Sequence, residues 1–371
     1  MDESENVYPY ETKISSYVIK ALVGQGGFGN VYKVQDKNTM QNYALKIEFE
    51  NVKNDFLKNE IHCLKDNSYG GFPVIINYGK YHNSNYYVMP LYGSSISELR
   101  KKNNGKLEPK IAYPIIYQMY LIIKTLHQNG YVHLDIKPSN FLLQNDSEHP
   151  LVLVDFGLAE LHIDPISKKP FKPKEFNPFK GTKNYASPFT HLRKPLGRRD
   201  DLISWFFSAI ELLNGELPWS NCETVDEMKE MKKTITASTL CKGVSKYLIP
   251  IYQHLINLKY DSTPCYKNIE LQFKYIFKEY KINMETFDWE AIYMQKKSKL
   301  LSSTSNQLFS MPIENPVINL NSSPKHSSAV NHHRTKSNTS KSKIKDKEKK
   351  KHSDELEHSS EEPNGEECVI Y

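Results

Sequence analysis

The chain has 371 residues, 39% hydrophobic and 25% charged, with a formal net charge of +6. That balance is soluble and globular, and the length allows two lobes and a tail. No apolar run approaches the roughly 18 residues of a membrane span, and the acidic start Met1-Asp2-Glu3-Ser4-Glu5 lacks the apolar stretch of a signal peptide. Five scattered cysteines with no CxxC pair read as reduced thiols of an intracellular protein, against a disulfide framework or a zinc site.

Residues 1–14 read as a flexible lead-in. Short apolar runs at 17–23, 31–34 and 43–47 predict strands separated by turns. A helix is expected over 55–64, with Phe56, Ile61 and Leu64 on one face. Runs at 74–78 and 86–89 predict two more strands. From residue 94 the pattern turns helical. Residues 111–128 carry apolar positions at helical spacing and stop before Gly130, a good carboxy-terminal cap. The run 202–213 is apolar nearly all round and predicts a buried helix. Amphipathic helices are expected over 247–258 and 269–280, and globular patterning ends within 291–299.

Three stretches carry chemistry. Gly24-Gln25-Gly26-Gly27-Phe28-Gly29-Asn30-Val31 fits GxGxxGxV between two strands, where backbone N–H groups can approach phosphate oxygens. A dinucleotide fold would place a helix next, but Val31-Tyr32-Lys33-Val34 reads as strand. Tyr43-Ala44-Leu45-Lys46 offers a lysine at a strand, and Glu60 on the following helix is its natural partner. Either residue alone would pass for an ordinary surface charge. His133-Leu134-Asp135-Ile136-Lys137-Pro138-Ser139-Asn140, followed by Asp155-Phe156-Gly157 after the apolar run 151–154, is far more specific. It spaces a carboxylate, an ammonium, an amide and a second carboxylate as phosphoryl transfer requires.

These stretches resemble the glycine loop, catalytic loop and metal loop of the protein kinases. The resemblance implies that Val23–Val31 covers ATP and that Lys46, oriented by Glu60, holds the α- and β-phosphates. Asp135 would take the hydroxyl proton, Lys137 would neutralise the transferring phosphoryl group, and Asn140 and Asp155 would hold Mg²⁺. Asp-x-Lys and Thr182, which would bond Asp135 and Lys137, favour serine/threonine acceptors. Leu134 stands where an Arg is usual, so activity is expected not to need activation-loop phosphorylation.

The resemblance narrows after residue 180. Gly181-Thr182-Lys183-Asn184-Tyr185-Ala186-Ser187 replaces the usual Ala-Pro-Glu ending and is similar to the casein kinase 1 family. So are Arg198-Arg199-Asp200-Asp201-Leu202, Leu217-Pro218-Trp219, Leu240-Cys241-Lys242-Gly243 and Phe287-Asp288-Trp289. The implied fold is α+β and bilobal: a small β-rich lobe over 15–89, a hinge over 90–93 after the gatekeeper Met89, and a larger, mostly helical lobe over 94–298. Asp201 would hold the catalytic-loop backbone. Acidic or phosphorylated protein substrates would meet Arg198 and Arg199, with Arg193 and Lys194 nearby. The family's lysine-rich stretch is replaced by the acidic 220–227, so a weaker dependence on pre-phosphorylated substrates is expected. Vaccinia-related and tau-tubulin kinases share this branch and would differ in substrate. The alternative is a pseudokinase scaffold, which loss of Lys46, Asp135, Asn140 or Asp155 would favour; all four are present.

Residues 299–371 are rich in Ser, Asn, Lys and Glu and read as a disordered tail. From residue 301 onward ten basic residues balance ten acidic ones, so the excess positive charge precedes that point. The basic run 341–351 reads as a nuclear signal or a solvated linker. Ser353, Ser359 and Ser360 precede acidic residues as acceptors for autophosphorylation would. Cys368-Val369-Ile370-Tyr371 fits C-a-a-X, and lipidation of Cys368 would be the route to a membrane. A cytoplasmic monomer, with a nuclear fraction open and no nucleic-acid partner, is expected.

Overall fold

The computed structural model describes residues 7–50, 56–68, 70–146, 148–174 and 177–294. The tail, with the basic run, the serine acceptors and Cys368, lies outside the described residues.

The amino-terminal lobe is a six-stranded antiparallel sheet with one helix. Its elements are β1 (Lys13–Ile14), β2 (Tyr17–Gln25), β3 (Gly29–Asp36), β4 (Asn42–Glu48), α1 (Phe56–Asp66), β5 (Asn77–Tyr81) and β6 (Ser84–Pro90), in sheet order β1-β2-β3-β4-β6-β5. Alternation in β3 buries Tyr32 and Val34, which pack with Leu45 and Val88 on one face of the sheet. Residues 7–14, expected as loose, are partly ordered by this packing. Ile14 is fully buried in β1, and Tyr8 N–H donates to Tyr32 Oη at 2.9 Å. The expected strand over 74–78 is shifted. Val74 and Ile76 are exposed, and β5 starts at Asn77 because its register is fixed by the turn at His82 that pairs Tyr81 with Ser84.

The carboxy-terminal lobe is mostly helical. It runs α2 (Ile96–Lys102), α3 (Pro109–Gln128), β7 (Tyr131–Val132), β8 (Phe141–Leu143), β9 (Leu151–Leu153), β10 (Glu160–Leu161), α4 (Pro188–His191), α5 (Arg198–Asn214), α6 (Val225–Thr234), α7 (Ala237–Leu240), α8 (Ile249–Asn257) and α9 (Tyr266–Tyr280). Pro109 starts α3 and Gly130, at φ 87°, follows its end, as the cap signal predicted. Every α5 residue from Arg198 to Leu213 is buried, and Trp205 donates to the Ile116 carbonyl of α3 at 2.9 Å. The single helix expected over 247–258 is a short 3-10 turn, Lys246–Leu248, followed by α8. Its division falls at Pro250, which has no N–H for the preceding turn. Helices α2 and α6 escaped the apolar pattern because each buries only two or so residues, and their clear signals are capping boxes, Ser95 with Glu98 and Thr224 with Glu227.

Candidate active site

Between the sheet and the helices lies a cleft of about 920 Å³. Strands β2 and β3 form its roof. The hairpin between them spans 26–28 and closes through Gly26 N–H to the Gly29 carbonyl at 2.9 Å. A Cβ on Gly29 would sit 2.2 Å from the Ile47 carbonyl oxygen, so only glycine allows β3 to lie this close to β4. A Cβ on Gly27 would meet nothing within 4 Å, which leaves the hairpin open toward the cleft. Val23 to Gly29, Val31 and Met89 line this space. Asn30 does not. It is buried on the other side of the strand, with Nδ2 donating to Tyr32 Oη at 3.2 Å, because alternate residues of a strand face opposite ways. Its assignment as a nucleotide contact is therefore corrected.

Lys46 on β4 stands under the roof. Its Nζ lies 2.7 Å from Glu60 Oε2 and 2.8 Å from Asp155 Oδ1. Burial opposes the charge on Lys46, but the two carboxylates outweigh it and hold the pKa above the ordinary lysine value. Lys46 in turn holds the Asp155 carboxyl below its usual range. Glu60 is 1% exposed and does more than pair. It accepts from Phe156 N–H at 3.0 Å and from Tyr87 Oη–H at 3.1 Å, which ties α1 to both the sheet and the 155–157 loop. Phe156, fully buried, packs edge-on against His133 at 4.8 Å between ring centroids.

Below the cleft, the 133–140 loop is clamped from α5. The buried Asp201 accepts from His133 N–H at 2.7 Å and from Leu134 N–H at 2.8 Å. Leu134 is held at φ 67°, a left-handed conformation that costs a branched residue energy and persists because both amides are fixed. His127 Nε2 lies 3.0 Å from Asp201, and its Nδ1 lies 2.9 Å from Tyr266 Oη. Burial keeps His127 below its ordinary pKa, so the neutral ring donates to Asp201 and accepts from Tyr266. Burial works against charge on Asp201 too, but the bonds from His127 and His133 prevail and keep it ionised.

The loop delivers its polar groups to one point. Asp135 Oδ2 lies 2.6 Å from Lys137 Nζ, and Asp135 Oδ1 accepts from Thr182 Oγ1–H at 2.8 Å. Lys137 Nζ also donates to Thr182 Oγ1 at 2.9 Å. Asn140 Nδ2 donates to the Asp135 carbonyl at 2.9 Å, which leaves its side-chain oxygen for another ligand. Gly181, at φ 84°, lets the segment bearing Thr182 approach: a Cβ there would lie 2.5 Å from the Leu134 carbonyl oxygen. Asp155 and Asn140 both line the cleft and offer hard oxygens, a donor set that fits Mg²⁺ together with phosphate oxygens.

Leu134 occupies the place expected of an Arg. It faces a second cavity of about 610 Å³, bounded by Glu160, Lys174 and Lys180. Both lysines are engaged by one carboxylate oxygen, Glu160 Oε1, at 2.8 and 2.7 Å.

Arg198 and Arg199 are not a surface anion site. Both are buried. Arg198 donates to the carbonyls of Asp261 and Ser262 and to Thr263 Oγ1, and Arg199 donates to the carbonyls of Leu258 and Pro195 while stacking on Phe189 at 3.6 Å. Burial and bonds made mainly to backbone carbonyls, which have no side-chain signature, take these guanidinium groups away from the surface, so the expectation from sequence fails. Arg193 and Lys194 are exposed.

Sequence patterning also missed Tyr87 and His127. His127 was detectable as a histidine on the buried face of α3, one turn after Ile123. The oxygen of Tyr87 has meaning only once β6 lies opposite α1.

Residues 17–275 match the family model described as the protein kinase domain. A Dictyostelium discoideum protein named "Probable serine/threonine-protein kinase" is 32% identical over 280 residues, covering 74% of this chain and 56% of that protein. The chain thus spans little more than half the length of that relative. "Casein kinase I homolog 1" of Schizosaccharomyces pombe is 28% identical, covering 80% of this chain and 70% of that protein. A "Probable casein kinase I homolog" of Encephalitozoon cuniculi is 29% identical, covering 75% and 94%.

Proposed function

Because this chain belongs to the protein kinase family, we propose that it is an active serine/threonine kinase of the casein kinase 1 type. It would transfer the ATP γ-phosphate to serine or threonine of protein substrates. The observation that carries this reading is a pair of polar clusters on one cleft, which Lys46, Asp155, Asp135 and Lys137 line together. Lys46, Glu60 and Asp155 join at its upper side, and Asp135, Lys137 and Thr182 join at its lower side.

ATP enters under the 23–29 hairpin, and Lys46 carries positive charge to its α- and β-phosphates. Asp135 orients the acceptor hydroxyl and receives its proton. Lys137 offsets charge on the phosphoryl group in flight, and Thr182 fixes the Asp135 carboxylate. Asp155 and Asn140 would hold Mg²⁺, which neutralises phosphate charge when bound. Radiolabelled phosphate transfer to casein by the wild type and by Asp135→Asn tests the assignment. The variant should lose nearly all transfer, and equal signals would sink it.

The enzyme runs without activation-loop phosphorylation. Leu134 supplies no cation there, and Lys174 and Lys180 already share Glu160. Phosphatase-treated enzyme should keep its rate; a rate restored only by rephosphorylation within 155–187 would refute this. Acidic substrates would meet Arg193 and Lys194, with little gain from priming. A matched peptide pair, with and without a phosphoserine three residues upstream of the acceptor, measures that gain.

A further inference from the structure

Helix α6 is mostly exposed, yet it buries a lysine. Met228 and Lys232, one turn apart, are its buried residues, and Lys232 is 1% exposed. Among the described residues no carboxylate pairs with it. Its ammonium instead donates to two backbone carbonyls, Lys183 O at 2.6 Å and Ala186 O at 2.8 Å, and lies 3.3 Å from His191 Nε2. The ring of Trp219 lies 4.9 Å away and that of Phe207 5.4 Å away, so the cation sits over aromatic faces. A buried cation without a counter-ion is costly, and an apolar side chain would fill the same space at less cost. The position therefore makes sense through what the ammonium holds.

What it holds is the 183–187 segment, anchored at every residue. Trp219 Nε1–H donates to the Asn184 carbonyl at 2.8 Å, Tyr185 Oη–H donates to Glu211 at 2.8 Å, and Ser187 Oγ–H bonds Asp200 at 2.5 Å. Thr182, directly before the segment, bonds Asp135 and Lys137. Glu211 and Asp200 come from α5 and Trp219 from the turn after it; the two bonds from Lys232 are the ones that reach in from α6. Burial lowers the Lys232 pKa to about 7, and either protonation state keeps two N–H groups for the two carbonyls.

We propose that Lys232 is a positioning residue for the polypeptide substrate: it fixes the 183–187 segment as the platform on which the acceptor peptide lies. This rests on the kinase reading above. It differs from the catalytic set because Lys232 does not line the cleft and bonds to Lys183, Ala186 and His191, outside the 133–140 loop.

The test compares Lys232→Met, which fills the space without a donor, with Lys232→Gln, whose shorter amide reaches one carbonyl. Released from two bonds, the segment should raise KM for a casein-derived peptide about tenfold in the Met variant and less in the Gln variant. KM for ATP, and slow ATP hydrolysis without peptide, should stay within about twofold of the wild type. Amide hydrogen exchange, read without any substrate, should speed up at 183–187 and stay unchanged at 133–140. Unchanged peptide KM and exchange in both variants would overturn the proposal. So would a parallel loss of ATP turnover and peptide turnover, or failure of both variants to fold, since Lys232 would then support the lobe as a whole. A wild type that transfers no phosphate would refute the kinase reading instead, and the exchange comparison would still decide whether Lys232 holds the segment.

Discussion

Replacing Asp201 by Asn probes the clamp beneath the catalytic loop with almost no change of shape. The carboxylate accepts three hydrogen bonds, from His133 N–H, Leu134 N–H and His127, at 2.7, 2.8 and 3.0 Å. An asparagine offers one acceptor oxygen. Placed where Oδ2 stands, it keeps both histidine bonds as neutral ones, and its NH₂ then faces the Leu134 N–H. Two buried donors, the Leu134 N–H and the new amide NH₂, are left facing each other at about 1–3 kcal/mol each, and the two remaining bonds lose their charge assistance. A total of about 3–6 kcal/mol follows. That is a large share of the roughly 5–15 kcal/mol that holds a domain folded. Leu134 also loses the bond that keeps it at φ 67°, and the loop can relax toward ordinary backbone geometry. Asp135 follows in sequence, so a shift near 1 Å there should lower kcat about a hundredfold. Urea denaturation gives the stability change, and phosphate transfer to casein gives the rate. A variant within about 0.5 kcal/mol of the wild type, with unchanged kcat, would refute the clamp.

Thr182→Val removes the hydroxyl that Asp135 and Lys137 share; loss of one bond to a charged group should cut kcat about 10- to 100-fold with ATP KM unchanged, read by steady-state kinetics. Gly29→Ala forces a Cβ against the Ile47 carbonyl and should cost about 1–3 kcal/mol by denaturation, whereas Gly27→Ala, with open space around it, should cost much less. His162 and His191 are each lowered to about 4, chiefly by burial, with Arg198 adding at His162 and Lys232 at His191. The unfolded chain takes up protons near pH 6.5 and the folded one only near 4, so their stabilisation is full above about 6.5 and is lost as pH falls toward 4. The melting temperature of wild type should fall across that window, and His162→Gln should flatten the fall; an equal slope would count against the burial of that ring.

Much of the chemistry was legible in the sequence because it sits on short local spacings. Asp135, Lys137 and Asn140 share one loop, and Asp155 ends one strand, so their order along the chain already gives their order in space. The glycines before Val31 and the absence of a helix after them excluded a dinucleotide fold for a local reason as well, since a strand was visible at 31–34. Helix α5 announced its burial by composition. Glu60, on the helix after Lys46, is its natural partner by position along the chain, but only the packing of α1 against the sheet brings their side chains to 2.7 Å.

Tertiary structure decided the direction in which each charged group points. Arg198 and Arg199 read as a surface anion site, yet both are buried and bond chiefly to backbone carbonyls, among them Leu258, Asp261 and Ser262 some sixty residues on, and a carbonyl leaves no mark in a sequence. Asn30 matched the glycine motif but faces away from the cleft, because strand alternation sets side against side. Lys232 carries no mark in the sequence that separates it from its neighbour Lys233, and its burial follows from where α6 meets the 183–187 segment. Sequence alone determined which reactive groups exist and which stand close along the chain. Burial and long-range hydrogen bonding, which join residues far apart in the chain, determined which of them are held, and by what.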